Sequence, residues 1–536
     1  MNLSSHKRSF PRAIIVAFLT ICLTAAAIAQ PPQQREGRRD AALVQGGQTQ
    51  AAAGQPAAKE YAKLPEENVS VTSHVITLGG KPLPYTAVAG TLLLKADDGR
   101  PRANVYFTAY FRDDVKDKTM RPMAFIFNGG PGSASVWVHM AAFGPRTVLL
   151  TDDGNALPGP PGRLVDNEFT LLDATDMCFI DPVSTGYSRP VPGESASQFH
   201  GYTEDIEAVG DFIRLFVTRY ERWASPKFII GESYGTPRAA GLSGYLQGGS
   251  TSMYLNGIVL ISAILNFGTA RFAPMNDMPY ILFLPTYTAD AWYHKKLPAD
   301  LLAKDLETVL GESRAFALQE YALALLKGNT LDPAAREAVV RKIARFTGLS
   351  PEFIANANLR ISLGRFTKEL LRDERHTIGR LDGRFKGFDL DAAGETNEYD
   401  PSNAAISGPF PAALNSYLRT ELKYKNDTPY AISGNVRPWN YNNVQNQYLN
   451  TAETLRGAMA ANQFLRVFVA NGYFDGATPF FATEYTFFQT DLGGDLKGRV
   501  KFGYYEAGHM MYIHKPSHAK LKSDLAEFIK DASGVK

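Results

Sequence analysis

Cysteine is almost missing from this chain: 536 residues contain two, Cys22 and Cys178. Cys22 falls inside an N-terminal segment read below as a removable export signal, so Cys178 has no partner. An internal disulfide is thereby excluded, and the fold has to be held by its core. Cys178 lies in the apolar run Met177-Cys178-Phe179-Ile180 and reads as a buried side chain, not a nucleophile. Excess charge is missing too: 56 Lys and Arg against 54 Asp and Glu leave +2. Without a basic stripe there is no electrostatic footprint for nucleic acid. The densest basic stretch, 372–386, is interrupted by Asp373, Glu374 and Asp382 and reads as a solvated face. No apolar run of membrane-spanning length follows the N-terminus, so the mature chain is expected to be soluble. No internal repeat is present.

What is there begins with a leader. Lys7, Arg8 and Arg12 precede or open the apolar stretch 13–27, and Ala27-Ile28-Ala29 supplies a small-x-small cleavage site before Gln30. That is the layout of a secretion signal. Lys7-Arg8-Ser9-Phe10 has Lys in the first position of a twin-arginine motif, so general secretion is expected. Ile21 before Cys22 argues against a lipoprotein anchor. An exported chain without disulfides points to a bacterial periplasm. Segment 30–60, rich in Gln, Ala, Gly, Pro and Arg, reads as a disordered linker. Asn68-Val69-Ser70 and Asn426-Asp427-Thr428 fit the glycosylation sequon, a pattern short enough to arise by chance.

From residue 74 the pattern becomes that of a sheet. Segments 74–78, 85–94 and 103–112 read as an antiparallel meander with turns at Gly79-Gly80 and Asp97-Asp98-Gly99. Shorter, wholly apolar runs at 123–127, 177–180, 228–230 and 257–261 have the character of parallel strands buried on both faces. Apolar residues at helical spacing across 203–220 predict a helix, and 236–246 reads as another. After Ile264 the strand pattern stops. Segments 301–310, 315–326, 333–346 and 351–371 read as successive helices, two of them with Asp332 and Ser350 as N-caps before Pro333 and Pro351. Segment 379–430 is rich in Gly, Asp, Asn and Pro. Strand signals return at 465–470 and 500–505, and a last helix is expected over 517–529. The resulting organisation is an α/β core in two parts, 61–265 and 443–536, around a mainly helical cap insertion, 266–442, the layout that the motifs below assign to the α/β-hydrolase fold. Its central sheet is mostly parallel, with helices on both faces.

The chemistry centres on Gly231-Glu232-Ser233-Tyr234-Gly235, between a strand and a helix. This is the context of a nucleophile elbow: the glycines leave room for a cramped turn that lifts the serine hydroxyl out of the sheet. A serine nucleophile needs a base and a group to orient it, here expected in the order Ser, acid, His, each after a late strand. The strand run ending in Asp475 and the one ending in Gly508-His509 meet that order, with His509 as base and Asp475 as orienter. Asn128-Gly129-Gly130-Pro131-Gly132-Ser133 follows a buried strand. It lacks the Gly-Lys-Ser/Thr ending of a phosphate loop and reads as an oxyanion loop, with the Gly130 N–H acting beside that of Tyr234. His509, His514 and His518 raise a metal site as a rival. No Glu is placed as in His-Glu-x-x-His, and Pro516 interrupts a joining helix, so no metal or other cofactor is expected.

Asn-Gly-Gly-Pro-Gly-Ser (128–133), Gly-Glu-Ser-Tyr-Gly (231–235), the Asp475 segment and Gly-His-Met (508–510) together resemble the serine carboxypeptidase family. Asp181-Pro182-Val183-Ser184-Thr185-Gly186-Tyr187-Ser188 is similar to a further stretch of it. The resemblance implies release of C-terminal amino acids from peptides, with Asn128, Gly129 and Glu232 holding the substrate's terminal carboxylate. Two carboxylates repel unless one is protonated, so Glu232 should carry a proton when substrate binds, favouring activity below neutral pH. Some family features are missing. Ala142-Phe143 precedes Gly144-Pro145 where a second Glu is usual, Ser133 and Thr478 stand at Cys positions, and Met511-Tyr512 replaces Val-Pro. The partners expected are peptides with a free C-terminus, not nucleic acid or membrane. An esterase or acyltransferase with the same triad, or a non-catalytic scaffold, are the other readings.

Overall fold

The computed structural model describes residues 66–152, 159, 161–249 and 251–534. The expected signal (1–29) and linker (30–60) lie outside these. Among the described residues, nine strands run side by side. They are β1 (Val69–Leu78), β2 (Lys81–Lys95), β3 (Pro101–Arg112), β4 (Met123–Phe127), β5 (Asp176–Ile180), β6 (Lys227–Glu232), β7 (Gly257–Ile261), β8 (Arg466–Gly472) and β9 (Val500–Tyr505). Their spatial order is β1-β2-β3-β5-β4-β6-β7-β8-β9, and the two-residue strand Arg189–Pro190 pairs with β3. The first three form the antiparallel meander, and β5 through β9 pair in parallel.

The reason for the parallel half is visible in its side chains. In β4, Ala124 and Ile126 join the core on one face, while Met123, Phe125 and Phe127 join the core on the other. β6 does the same with Phe228 and Ile230 against Ile229. A strand covered on both sides must be apolar at every position, which removes alternation and leaves short unbroken runs. Helices α1 (Tyr202–Arg219) and α2 (Gly235–Gln247) cover one face, and Lys515–Ser533 covers the other. This is the α/β-hydrolase fold.

The helical region between β7 and β8 departs from the expected boundaries. Segment 301–310 is not one helix: Ala299–Leu302 ends, and Leu306–Phe316 starts afresh because Asp305 accepts from the Thr308 N–H as an N-cap. That second helix continues through a π-turn at Ala317–Tyr321 into Ala322–Lys327, so no break falls near Gly311. Segment 351–371 is likewise two helices, Pro351–Asn356 and Leu363–Glu369, parted where Asn358 and Leu359 take positive φ. Asp332 and Ser350 cap as expected. Four helices of this region went unread, Ala452–Ala461 among them, as did Phe480–Gln489 after β8. Met278–Tyr293 is apolar on most sides and holds Pro285, which hides its period. Pro401–Ser407 and Pro409–Thr420 lie inside the Gly- and Pro-rich stretch, the first capped by Asp400. The helices between 278 and 371 share an apolar core with Tyr473, Phe474 and Phe480, which ties them to the loop after β8. Cys178 is a buried free thiol.

Candidate active site

Four strand ends, those of β4, β6, β8 and β9, build the site, because in a parallel sheet the loops after the C-terminal ends all open on one edge. β6 ends at Glu232, and Ser233 follows with φ 58°, the strained conformation of an elbow. Its N–H donates to Ile261 O at 3.0 Å, tying the turn to β7. A Cβ at Gly231 would fall on the Gly235 carbonyl, and one at Gly129 on the Tyr234 nitrogen. The oxyanion loop therefore lies directly over the elbow. Among the described residues, neither the Gly130 N–H nor the Tyr234 N–H has an acceptor. Two unpaired backbone donors beside one serine are what a developing oxyanion requires.

Replacing Gly129 with Ala is expected to push this loop off the elbow, since backbone cannot rotate away from a fixed Cβ. Fluorophosphonate labelling of Ser233 should slow by about 100-fold or more. Labelling at the parent rate would mean the two N–H groups do not act together.

The loop after β8 delivers Asp475, fully buried. Its Oδ1 accepts from the Ala477 and Thr478 N–H groups at 2.8 and 2.9 Å, and its Oδ2 from the Thr478 hydroxyl at 2.7 Å. His509 Nδ1 completes the set at 2.8 Å from Oδ2. An acceptor-only carboxylate there means that Nδ1 carries the proton and Nε2 is the basic nitrogen. Burial disfavours the imidazolium, but the charge and hydrogen bond of Asp475, with Glu232 behind them, outweigh it and raise the His509 pKa. Ser233 and His509 face the same cavity. Among the described residues the hydroxyl makes no hydrogen bond to Nε2, whose near polar neighbour is Glu232 Oε1 at 3.8 Å. Thr478, which sequence reasoning noted only for not being Cys, also approaches Nδ1 at 3.2 Å. Its position three residues after the acid was the available signal.

Glu232 and Asn128 form a buried pair on the cavity wall, the amide Nδ2 donating to Glu232 Oε2. The Trp137 and Val138 N–H groups both donate to Asn128 Oδ1 at 3.2 Å, which fixes the amide's orientation. Burial pushes the Glu232 carboxyl up to about 7, against the opposing pull of His509. Gly129 lines the same cavity, so the structure brings all eight expected site residues together. The other two histidines stand apart: His514 Nδ1 pairs with Ser517 Oγ and His518 Nε2 with Ala142 O, each at 2.8 Å. Among the described residues no cluster of His, Cys, Asp and Glu could hold a metal ion.

The stretch 372–386 is corrected by the structure: it is not a solvated face throughout. Asp382 and Arg384 are buried and bonded to each other at 2.7 Å. Asp382 Oδ2 accepts from the Gly508 N–H at 3.0 Å, Leu381 O from the His509 N–H at 2.6 Å, and Glu506 O from Arg384 at 3.2 Å. The loop thus clamps the backbone that carries His509. Two residues apart in a polar stretch, an acid and an Arg look solvated. Only their mating with a loop over 120 residues away buries them.

The profile of the serine carboxypeptidase family matches residues 88–268, which include the oxyanion loop and the elbow. That part of the chain is similar to the family. The pheromone-processing carboxypeptidase KEX1 of Saccharomyces cerevisiae (strain JAY291) is 27% identical over 157 residues, 27% of this chain and 20% of that protein. Serine carboxypeptidase-like 45 of Arabidopsis thaliana is 27% identical over 211 residues, covering 37% and 42%. The aligned part therefore spans less than half of either relative. The crystal structure of a prohormone-processing carboxypeptidase from Saccharomyces cerevisiae superposes with TM-score 0.52 at 16% identity, over 83% of this chain and 91% of that one, a likeness of fold.

Proposed function

We propose that this protein is a serine-type carboxypeptidase that releases C-terminal amino acids from peptides. Ser233 Oγ attacks the last peptide carbonyl while His509 Nε2 takes its proton. The Gly130 and Tyr234 N–H groups hold the oxyanion, and Asp475 steadies the imidazolium. The proton then passes from Nε2 to the leaving amine, and water resolves the acyl-enzyme by the reverse sequence. Asn128, Gly129 and Glu232 take the terminal carboxylate. The observation that carries this reading is the buried Glu232–Asn128 pair beside Ser233: a carboxyl protonated up to about pH 7 can donate to a carboxylate instead of repelling it. We propose further that the chain is exported, after loss of 1–29, to a periplasm, and that 266–442 caps the hydrolase core. Among the described residues no helix is long and apolar enough to cross a membrane.

The test is release of the C-terminal residue from an N-blocked dipeptide, run beside the same dipeptide as its amide. Strong preference for the free acid, lost in Glu232→Ala, supports the reading. Cleavage of simple esters with no action on the dipeptide would replace it with an esterase or acyltransferase.

The pH dependence has a definite sign. As pH rises through about 7, Glu232 ionises and KM for the free acid should climb, while kcat should fall at low pH as His509 protonates. Glu232 is raised, so it favours the fold below its unfolded value, and that advantage is lost as pH rises through the folded one. At about 1.4 kcal/mol per pH unit, a rise from 4.5 to about 7 costs the folded state roughly 3 kcal/mol above neutrality. Glu232→Gln should then be more stable than the parent at pH 8 and indistinguishable at pH 4. Urea unfolding at the two pH values checks this, and parallel curves would contradict it.

A further inference from the structure

Ser233 and Gly130 border two cavities. One, of about 420 Å³, holds Asn128, Glu232 and His509, and is the leaving-residue side on the carboxypeptidase reading. The other, of about 260 Å³, shares Ser233 and Gly130 but not Asn128, Glu232 or His509, and so falls to the acyl side of the scissile bond on the same reading. Its floor is Phe267, Phe272 and Phe283, and its charged members are Arg271 and Arg380. No carboxylate lines it among the described residues. Two guanidiniums in an aromatic pocket that no carboxylate lines make a site for an anion.

Among the described residues each Arg keeps donors free for a ligand. The Arg271 guanidinium lies over the Phe267 ring at 5.1 Å, with the Tyr441 hydroxyl beside it, and has no ion pair among the described residues. Arg380 borders both cavities. Among the described residues its one ion pair is a long contact, Nε to Asp400 Oδ2 at 3.9 Å. Its backbone is fixed: its N–H donates to Asp400 Oδ1 at 3.1 Å, and the next residue's carbonyl accepts the His509 N–H. The Arg380 side chain, half exposed from this fixed backbone, reaches the border of the acyl-side pocket beside the nucleophile.

We propose that this pocket is a subsite for an acidic side chain, so that the preferred substrates carry Glu or Asp as the penultimate residue. The proposal rests on the serine-hydrolase reading of Ser233 and on which flank receives the acyl group. Its test is built so that the two can fail separately. Activated esters of N-blocked Glu, Gln and Lys place the side chain in the acyl-side pocket without any terminal carboxylate, and the Ser233→Ala protein subtracts spontaneous hydrolysis. The Glu ester should exceed the Gln ester in kcat/KM by about tenfold, with Lys lowest. Arg271→Gln and Arg380→Gln should each cut the Glu-to-Gln ratio, and the double variant should bring it near one. Raising NaCl to about 1 M, where the Debye length is about 3 Å, should compress the ratio as well. A Glu-to-Gln ratio of one in the parent overturns the subsite while leaving the nucleophile intact. Hydrolysis unaffected by Ser233→Ala overturns both.

Discussion

Ser233→Ala is expected to lose about 10⁵–10⁶-fold in kcat and all fluorophosphonate labelling. The size follows from how little the rest of the site can do without an attacking atom. The unpaired Gly130 and Tyr234 donors would still bind a carbonyl oxygen, and the two cavities would still hold substrate. What remains is stabilisation of attack by water, worth about 10³–10⁴ over the uncatalysed rate. The fold should survive, because the hydroxyl makes no hydrogen bond among the described residues. The strained φ of 58° is no worse for Ala than for Ser. Retention of a tenth of the parental activity in this variant would remove Ser233 as nucleophile.

Asp475→Asn should cost about 10⁴-fold in kcat with an unchanged fold. The hydrogen-bond inventory decides how the new amide must sit. Oδ1 accepts from two backbone N–H groups, which an amide nitrogen cannot do, so the Asn oxygen takes that place. The NH₂ is then turned toward His509 Nδ1 and Thr478. To accept from it, Nδ1 must give up its proton, and the ring takes the tautomer protonated on Nε2. That nitrogen can no longer receive a proton from Ser233. The same substitution removes the charge that raises the His509 pKa against burial, so the low-pH fall in kcat should move to lower pH in the residual activity. Equal kcat values in the two proteins would mean that His509 is oriented by something else. The clamp from Leu381 and Asp382 would be the group to test next.

The two variants act on residues of very different legibility. The elbow was readable because its constraint is local: Gly231 and Gly235 are demanded by contacts within one turn, and a strand and helix flank them. The parallel strands were readable because burial on both faces imposes unbroken apolar runs. The helices after β7 were misjudged at their ends because short caps such as Asp305 and irregular turns at Asn358 and Leu359 break an amphipathic period that looks continuous.

By itself the chain's sequence determined the α/β core, the placing of Ser233, Asp475 and His509 after the ends of β6, β8 and β9, and the loop that faces the serine. Each of these follows from local sterics or from a period that burial enforces over a few residues. Only the tertiary structure decided that Thr478 completes the acid's hydrogen bonds and that Asp382 and Arg384 clamp the His509 loop. It alone decided that Arg271 and Arg380 meet in one pocket. Apart from Thr478, three residues from the acid it serves, these pairings join segments far apart in the chain. Their charged side chains carry no periodic mark, and their energies depend on desolvation that exists only once the loops have closed on one another.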